Sequence, residues 1–128
     1  MVVDTSAIVA ILLDEPDAAA LERLLVADPI RLIAATCVLE ARMVVATRRG
    51  EHALAEIDLW LATIDASIIP ADAELVDMAT QAWLAYGKGR HPAGLNFADC
   101  LSYALAKRTG EPLLFKGEGF ARTDIRAA

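Results

Sequence analysis

The sequence is short of aromatic, thiol and imidazole side chains, and each shortage closes off a class of protein. Only 5% of the 128 residues are aromatic while 56% are apolar, so the core is built from Ala, Leu, Ile and Val. Two cysteines, Cys37 and Cys100, with His52 and His91, offer no zinc-ligand spacing. Each cysteine falls in a predicted helix, where it reads as a small apolar side chain. The longest apolar run, Ala7 to Leu13, is far below the roughly 18 residues that span a bilayer. No basic segment precedes an apolar one at the start, and Asp4 stands where a secretory leader would be apolar. The expectation is a soluble protein of a reducing cytoplasm with no membrane association. It is a single domain, residues 1–128, long enough to bury roughly two-thirds of its unfolded surface.

The formal net charge of −6 runs against a nucleic-acid partner until its distribution is considered. Residues 1–85 hold 14 acids and 5 bases, a balance of −9, whereas residues 86–128 hold 4 acids and 7 bases, a balance of +3. Such asymmetry places a basic patch on one part of an acidic surface and leaves negative surface for a basic partner.

Along the chain, short β-forming runs alternate with helical periodicity. Val2–Asp4 reads as a strand and Thr5–Leu13 as a helix, and Asp14-Glu15-Pro16-Asp17 breaks before a helix from about Asp17 to Ala27. Ile30–Ala35 reads as a second strand, and Thr36 as the N-cap of a helix Cys37–Arg49 closed by Gly50. A helix over Glu51–Asp65 and a strand at Ser67–Pro70 follow, then a helix capped by Asp72 and ending near Tyr86. The extended loop is Gly87-Lys88-Gly89-Arg90-His91-Pro92-Ala93-Gly94. Asn96 caps the helix Phe97–Arg108, and Pro112–Phe115 forms the last strand. Strands alternating with helices imply βαβ units, and thus an α/β fold with a mostly parallel sheet.

The acids are the candidate chemistry. Asp4 ends the first strand, at the edge where open α/β sheets bind ligands. Helix capping is the competing reading, although Thr5 and Ser6 are available for that job. Glu40, within the first turns of an apolar helix, has no cation at i±3 or i±4. Asp99 stands three residues after Asn96, the spacing of a reciprocal cap, and it too lacks a neighbouring cation. Glu118 and then Asp124 follow the last strand. Short connections bring such acids to one edge of the sheet, where a hard divalent cation relieves their mutual repulsion. A site of that kind activates water and stabilises charge on a phosphate undergoing in-line displacement.

The whole chain resembles the PIN-domain proteins, and among them the VapC-type toxins of bacterial type II toxin–antitoxin pairs. The resemblance is carried by Val3-Asp4-Thr5-Ser6-Ala7, Val38-Leu39-Glu40-Ala41, Gly94-Leu95-Asn96-Phe97-Ala98-Asp99-Cys100 and Pro112–Phe120, in that order. It implies a three-layer PIN-like fold with a four- to five-stranded sheet. It also implies an endoribonuclease dependent on Mg²⁺, for which Mn²⁺ substitutes, and held inactive by a cognate VapB-type antitoxin. A homodimer or a toxin–antitoxin hetero-oligomer is implied as well. Asp4, Glu40 and Asp99 match the family's acidic triad, and Ser6 its neighbouring hydroxyl. The family often places a fourth Asp after the last strand; here Gly117 and Gly119 flank Glu118 instead. Either Glu118 substitutes through its longer side chain, or a second metal is weak or absent. One metal is expected, held by Asp4 and Asp99 with Glu40 direct or through water.

Lys88, Arg90 and His91 are the candidate RNA-binding residues, because an acidic pocket alone repels RNA. The competing reading of their loop is a mobile connector with solvated charges. Arg48 and Arg49 suit a helix C-terminus, and Trp60 and Trp83 suit core or dimer packing. Two other functions compete: a PIN-like RNA- or partner-binding module without cleavage, and a phosphotransferase or phosphatase with Asp4 as nucleophile. The latter class commonly needs a second Asp two residues on, where this chain has Ser6.

Overall fold

Four apolar runs of two or three residues pair into one sheet in a computed structural model that describes all 128 residues. The strands β1 (Val2–Val3), β2 (Leu32–Ala34), β3 (Ser67–Ile69) and β4 (Leu113–Leu114) lie in the order β3-β2-β1-β4, and every pairing is parallel. Four strands form, the lower of the two numbers expected. Val2 pairs with Leu32 on one side and Leu113 on the other. Val2, Val3, Leu113 and Leu114 are all buried, as strands covered on both faces must be. The chain steps outward from β1 to β3 and then returns to place β4 on the far side of β1. That reversal creates a switch point between β1 and β4, beyond whose carboxyl ends α/β sheets form their ligand crevice.

Six helices flank the sheet: α1 (Thr5–Leu12), α2 (Ala18–Ala27), α3 (Ala35–Arg49), α4 (Leu54–Thr63), α5 (Ala73–Tyr86) and α6 (Phe97–Thr109). Helix α6 packs on β1, β2 and β4 and on α3 and α5. Its run from Cys100 to Ala106 is buried throughout, so α6 is the interior helix of its layer. Helix α1 packs against α2 and α3. A smaller apolar cluster, Val45, Ala53 and Ile57, joins α3 to α4. No helix is long and apolar enough to cross a membrane.

Several expected boundaries shift. Helix α3 starts at Ala35 after an Ala34 cap that carries no side-chain hydrogen bond, so Thr36 is not the N-cap. Its hydroxyl is instead buried inside the first turn without a partner. The segment expected as one helix from Glu51 begins as a 3₁₀ turn, Glu51–Ala53, and becomes α-helical only at Leu54. Asp72 and Asn96 cap α5 and α6 as expected. At the far end of α6, Gly110 adopts φ 72°, the left-handed conformation that glycine enters without steric cost.

The 87–95 loop is drawn together by backbone hydrogen bonds. Its ends close on each other through Lys88 N–H to Leu95 O (3.0 Å) and Leu95 N–H to Tyr86 O (2.9 Å). Inside it, the N–H groups of Arg90 and His91 both donate to Gly87 O.

Candidate active site

Asp4 leaves β1 at its carboxyl end, and its extended backbone makes it the N-cap of α1. Its own N–H donates to Leu114 O at 2.9 Å, which ties this end of β1 to β4. Its side chain is only 1% exposed, yet it is well supplied with donors. The Ser6 N–H (2.8 Å) and Ser6 hydroxyl (2.6 Å) both donate to Oδ2, and the Ser102 hydroxyl donates to Oδ1 at 2.7 Å. Thus Asp4 performs the capping role and also stands at the carboxyl end of β1, at the switch point. The two readings are compatible, because a cap engages one carboxylate oxygen and leaves the other for further partners.

Asp99 opens α6 in a capping box with Asn96. The Asn96 N–H donates to Asp99 Oδ2 at 2.8 Å, and the Asp99 N–H donates to Asn96 Oδ1 at 2.9 Å. Burial, together with the negative charges of Asp4 and Glu40, pushes its carboxyl up to about 6, even though the Asn96 N–H favours the charged form. Glu40 is half-buried on α3. Acids 36 and 59 residues apart in sequence therefore share one field. As the side chains stand, no three carboxylate, imidazole or thiol groups are gathered closely enough to hold an ion among them. The side chains present here, carboxylates and hydroxyls, are hard oxygen donors of the kind that Mg²⁺ takes, commonly through one or two carboxylates with several retained waters.

Ser6 joins the end of the last strand to this corner: the Lys116 N–H donates to Ser6 Oγ at 3.0 Å. The Lys116 ammonium turns away to Glu15 (2.8 Å) and Asp17 (3.1 Å). Glu118 is exposed two residues further on. Asp124 is committed elsewhere, accepting hydrogen bonds from the Tyr103 hydroxyl and from Lys107, and the first of these is the main reason its carboxyl sits below the usual range.

The three candidate RNA-binding residues occupy different surroundings. The Arg90 guanidinium lies 3.9 Å over the Trp83 ring, a cation–π contact. His91 packs edge-on against Tyr86 and accepts a hydrogen bond from the Ala93 N–H. Lys88 lines an apolar groove of about 590 Å³ with Thr36, Val76, Trp83, Asn96 and Phe97. Trp60 packs against the core, whereas Trp83 is 42% exposed. Arg48 and Arg49 form ion pairs with Glu15 and Glu56, in keeping with their structural reading.

Ser102 escaped the sequence reading, and Cys37, read there only as a small apolar side chain, is its neighbour. Ser102 Oγ lies 3.1 Å from Cys37 Sγ and is fully buried. The thiol is raised to about 11, chiefly by burial and then by the Asp4 charge, so it stays protonated. One signal was available: Ser102 is the one aliphatic hydroxyl in the helical run Phe97–Arg108, one turn beyond Asp99.

Comparison with known proteins extends this picture over the whole chain. The PIN domain pattern matches residues 1–126. Ribonuclease VapC of Mycolicibacterium smegmatis is 52% identical over 127 residues, covering 99% of this chain and 98% of that protein. Ribonuclease VapC30 of Mycobacterium tuberculosis is 51% identical over 125 residues, covering 98% and 95%. The crystal structure of M. tuberculosis VapC20, a sarcin–ricin loop cleaving toxin, superposes with a TM-score of 0.81 over 99% of this chain and 97% of that one. At 18% identity, that likeness speaks for the fold alone.

Proposed function

The chain belongs to the PIN-domain family, among its VapC ribonucleases, and from that premise we propose that Asp4, Asp99 and Glu40 form the metal-dependent centre at which it cleaves RNA. It is an endoribonuclease toxin of the VapBC type. The observation that carries the proposed site is the convergence of three elements: Asp4 ends β1, Asp99 stands in the first turn of α6, which packs on β1 and on α3, and Glu40 lies on α3.

Asp4 and Asp99 would hold one Mg²⁺, or Mn²⁺ in its place, with Glu40 acting directly or through a water. When bound, the cation would supply Lewis acidity, which would make water a better nucleophile and offset charge developing on the phosphate oxygens. The protein's part is positional. Ser6 and Ser102 keep the Asp4 carboxylate in one orientation, and the capping box does the same for Asp99. Lys88, Arg90 and His91 are proposed to meet the RNA backbone, since cationic side chains must offset the acidic corner. Glu118, exposed in the loop after β4, is proposed as an accessory acid of the same centre.

A VapB-type antitoxin is the proposed partner, and the −9 balance of residues 1–85 suits a basic inhibitory segment. A homodimer is proposed as well. Val76, Trp83 and Phe97 are all exposed and line one apolar groove, a concentration of apolar surface near the start of α6 that favours association.

The deciding experiment is RNA cleavage by wild type and Asp99→Asn, with Mg²⁺ and then with EDTA. Cleavage by wild type that EDTA abolishes, and that the variant lacks, is the expected result. Equal cleavage by both proteins would place the chemistry elsewhere.

A further inference from the structure

A carboxylate offers about four lone-pair positions to donors or cations. Around Asp4, two of these, both on Oδ2, are taken by the Ser6 N–H and hydroxyl, and a third, on Oδ1, by the Ser102 hydroxyl. One position remains, and it is on Oδ1. Ser102 has a single proton. The Ser102 hydroxyl donates it to Asp4 Oδ1, which leaves Ser102 Oγ as an acceptor toward the Cys37 thiol at 3.1 Å, with Ala98 O, at 3.8 Å, the alternative acceptor of that thiol's one proton. A serine inside a helix ordinarily turns its hydroxyl back to the carbonyl four residues earlier, here Ala98 O. In this protein the Cys37 thiol approaches Ala98 O instead, at 3.8 Å, and Ser102 faces Asp4. The result is a chain of contacts, Cys37 Sγ to Ser102 Oγ and Ser102 Oγ–H to Asp4 Oδ1, linking α3, α6 and the end of β1 through fully buried side chains.

We infer that Ser102 is a positioning residue for the metal site: its hydroxyl holds the Asp4 carboxylate so that a single lone pair of Oδ1 faces the cation. This rests on Asp4 being a metal ligand. Without Ser102 the carboxylate keeps its Oδ2 anchor at Ser6 but loses the restraint on Oδ1. The cation must then compete with carboxylate rotation and with water entering the freed position. Partners that orient a metal ligand are typically worth about 10- to 100-fold in affinity. Cys37 belongs to the same chain one step further from the acid, so removing its thiol leaves the Ser102–Asp4 bond in place.

The test is a Mn²⁺ titration of wild type, Ser102→Ala, Ser102→Thr, Cys37→Ala and Asp4→Asn, read by loss of the electron paramagnetic resonance signal of free Mn²⁺. Melting temperatures are measured alongside in EDTA. Ser102→Ala is expected to bind Mn²⁺ about 10-fold or more weakly while still unfolding cooperatively. Ser102→Thr, which keeps the hydroxyl, restores binding, and Cys37→Ala stays within about twofold of wild type, since the bond to the ligand survives. Wild-type affinity in Ser102→Ala overturns the inference, as does an equal loss in Cys37→Ala, which would reduce the effect to packing. A folded Ser102→Thr as weak as Ser102→Ala overturns it too. Asp4→Asn separates the two levels: undiminished Mn²⁺ binding by that variant sinks the site reading itself, whereas its loss beside an intact Ser102→Ala sinks only the role of Ser102.

Discussion

The Lys116 N–H donates to Ser6 Oγ across 110 residues of sequence, at 3.0 Å, and the same hydroxyl donates to Asp4 Oδ2. The loop leaving the last strand is thereby fastened to the carboxylate that ends the first. Ser6→Ala removes both bonds and orphans the Lys116 N–H. A loss of about 1–3 kcal/mol in denaturant unfolding is expected, because two hydrogen bonds go and the half-buried Lys116 N–H is left unpaired. RNA cleavage should fall more steeply than stability does. A variant of wild-type activity would show that Ser6 serves only to fasten the loop after β4 to the Asp4 cap of α1.

The Asp99 carboxyl gives stability a pH dependence opposite to that of most surface acids. Its folded-state value of about 6 lies above the ordinary 3.8, so the native state binds more protons than the unfolded chain between those limits. This contribution is fully present below about 3.8 and is lost as pH rises through about 6. A divalent cation binds the ionised form, so added Mg²⁺ should raise the melting temperature clearly at about pH 7.5 and little at about pH 5. In Asp99→Asn the contribution disappears, and melting curves over that range with and without Mg²⁺ will show whether it does.

Glu118 and Asp124 both follow β4, but they are not equivalent. Asp124 is taken up by Tyr103 and Lys107, so Asp124→Asn is expected to cost about 1 kcal/mol or less of stability and to leave cleavage unchanged. Glu118 is exposed. Glu118→Gln should therefore lower cleavage far less than Asp99→Asn does, which initial rates of the two variants on one RNA will measure. A loss in Glu118→Gln as deep as in Asp99→Asn would make Glu118 more than an accessory acid.

Gly87 has an ordinary backbone angle but no room for a side chain, since an added Cβ would meet the Trp83 carbonyl oxygen and ring at 2.4 Å. Gly87→Ala must therefore move the C-terminus of α5 or the Trp83 ring on which Arg90 stacks. A loss of about 1–3 kcal/mol is expected from this overpacking. A change in Trp83 fluorescence should accompany it, and a spectrum identical to wild type would mean that the loop absorbs the methyl elsewhere.

The chain order of elements, the caps at Asp72 and Asn96 and the α/β class were all legible in the sequence, because each depends on residues within a turn or two of one another. So was Asp4 as the acid at a strand end, since Val2-Val3-Asp4-Thr5-Ser6 is itself the strand-to-helix handover. Thr36 shows where local reading fails. Its hydroxyl suits a cap by residue type, but the pairing of Leu32–Ala34 with β1 and β3 starts α3 at Ala35 and leaves Thr36 inside its first turn. Ser102 shows the same limit at the site. Nothing near it in sequence names Asp4, 98 residues away, as its partner. Local sequence determined which acids and hydroxyls stand at element ends. Only the sheet order β3-β2-β1-β4, with α6 laid across β1, decided which of them meet, because burial removes water as a partner and obliges polar groups distant in sequence to satisfy one another.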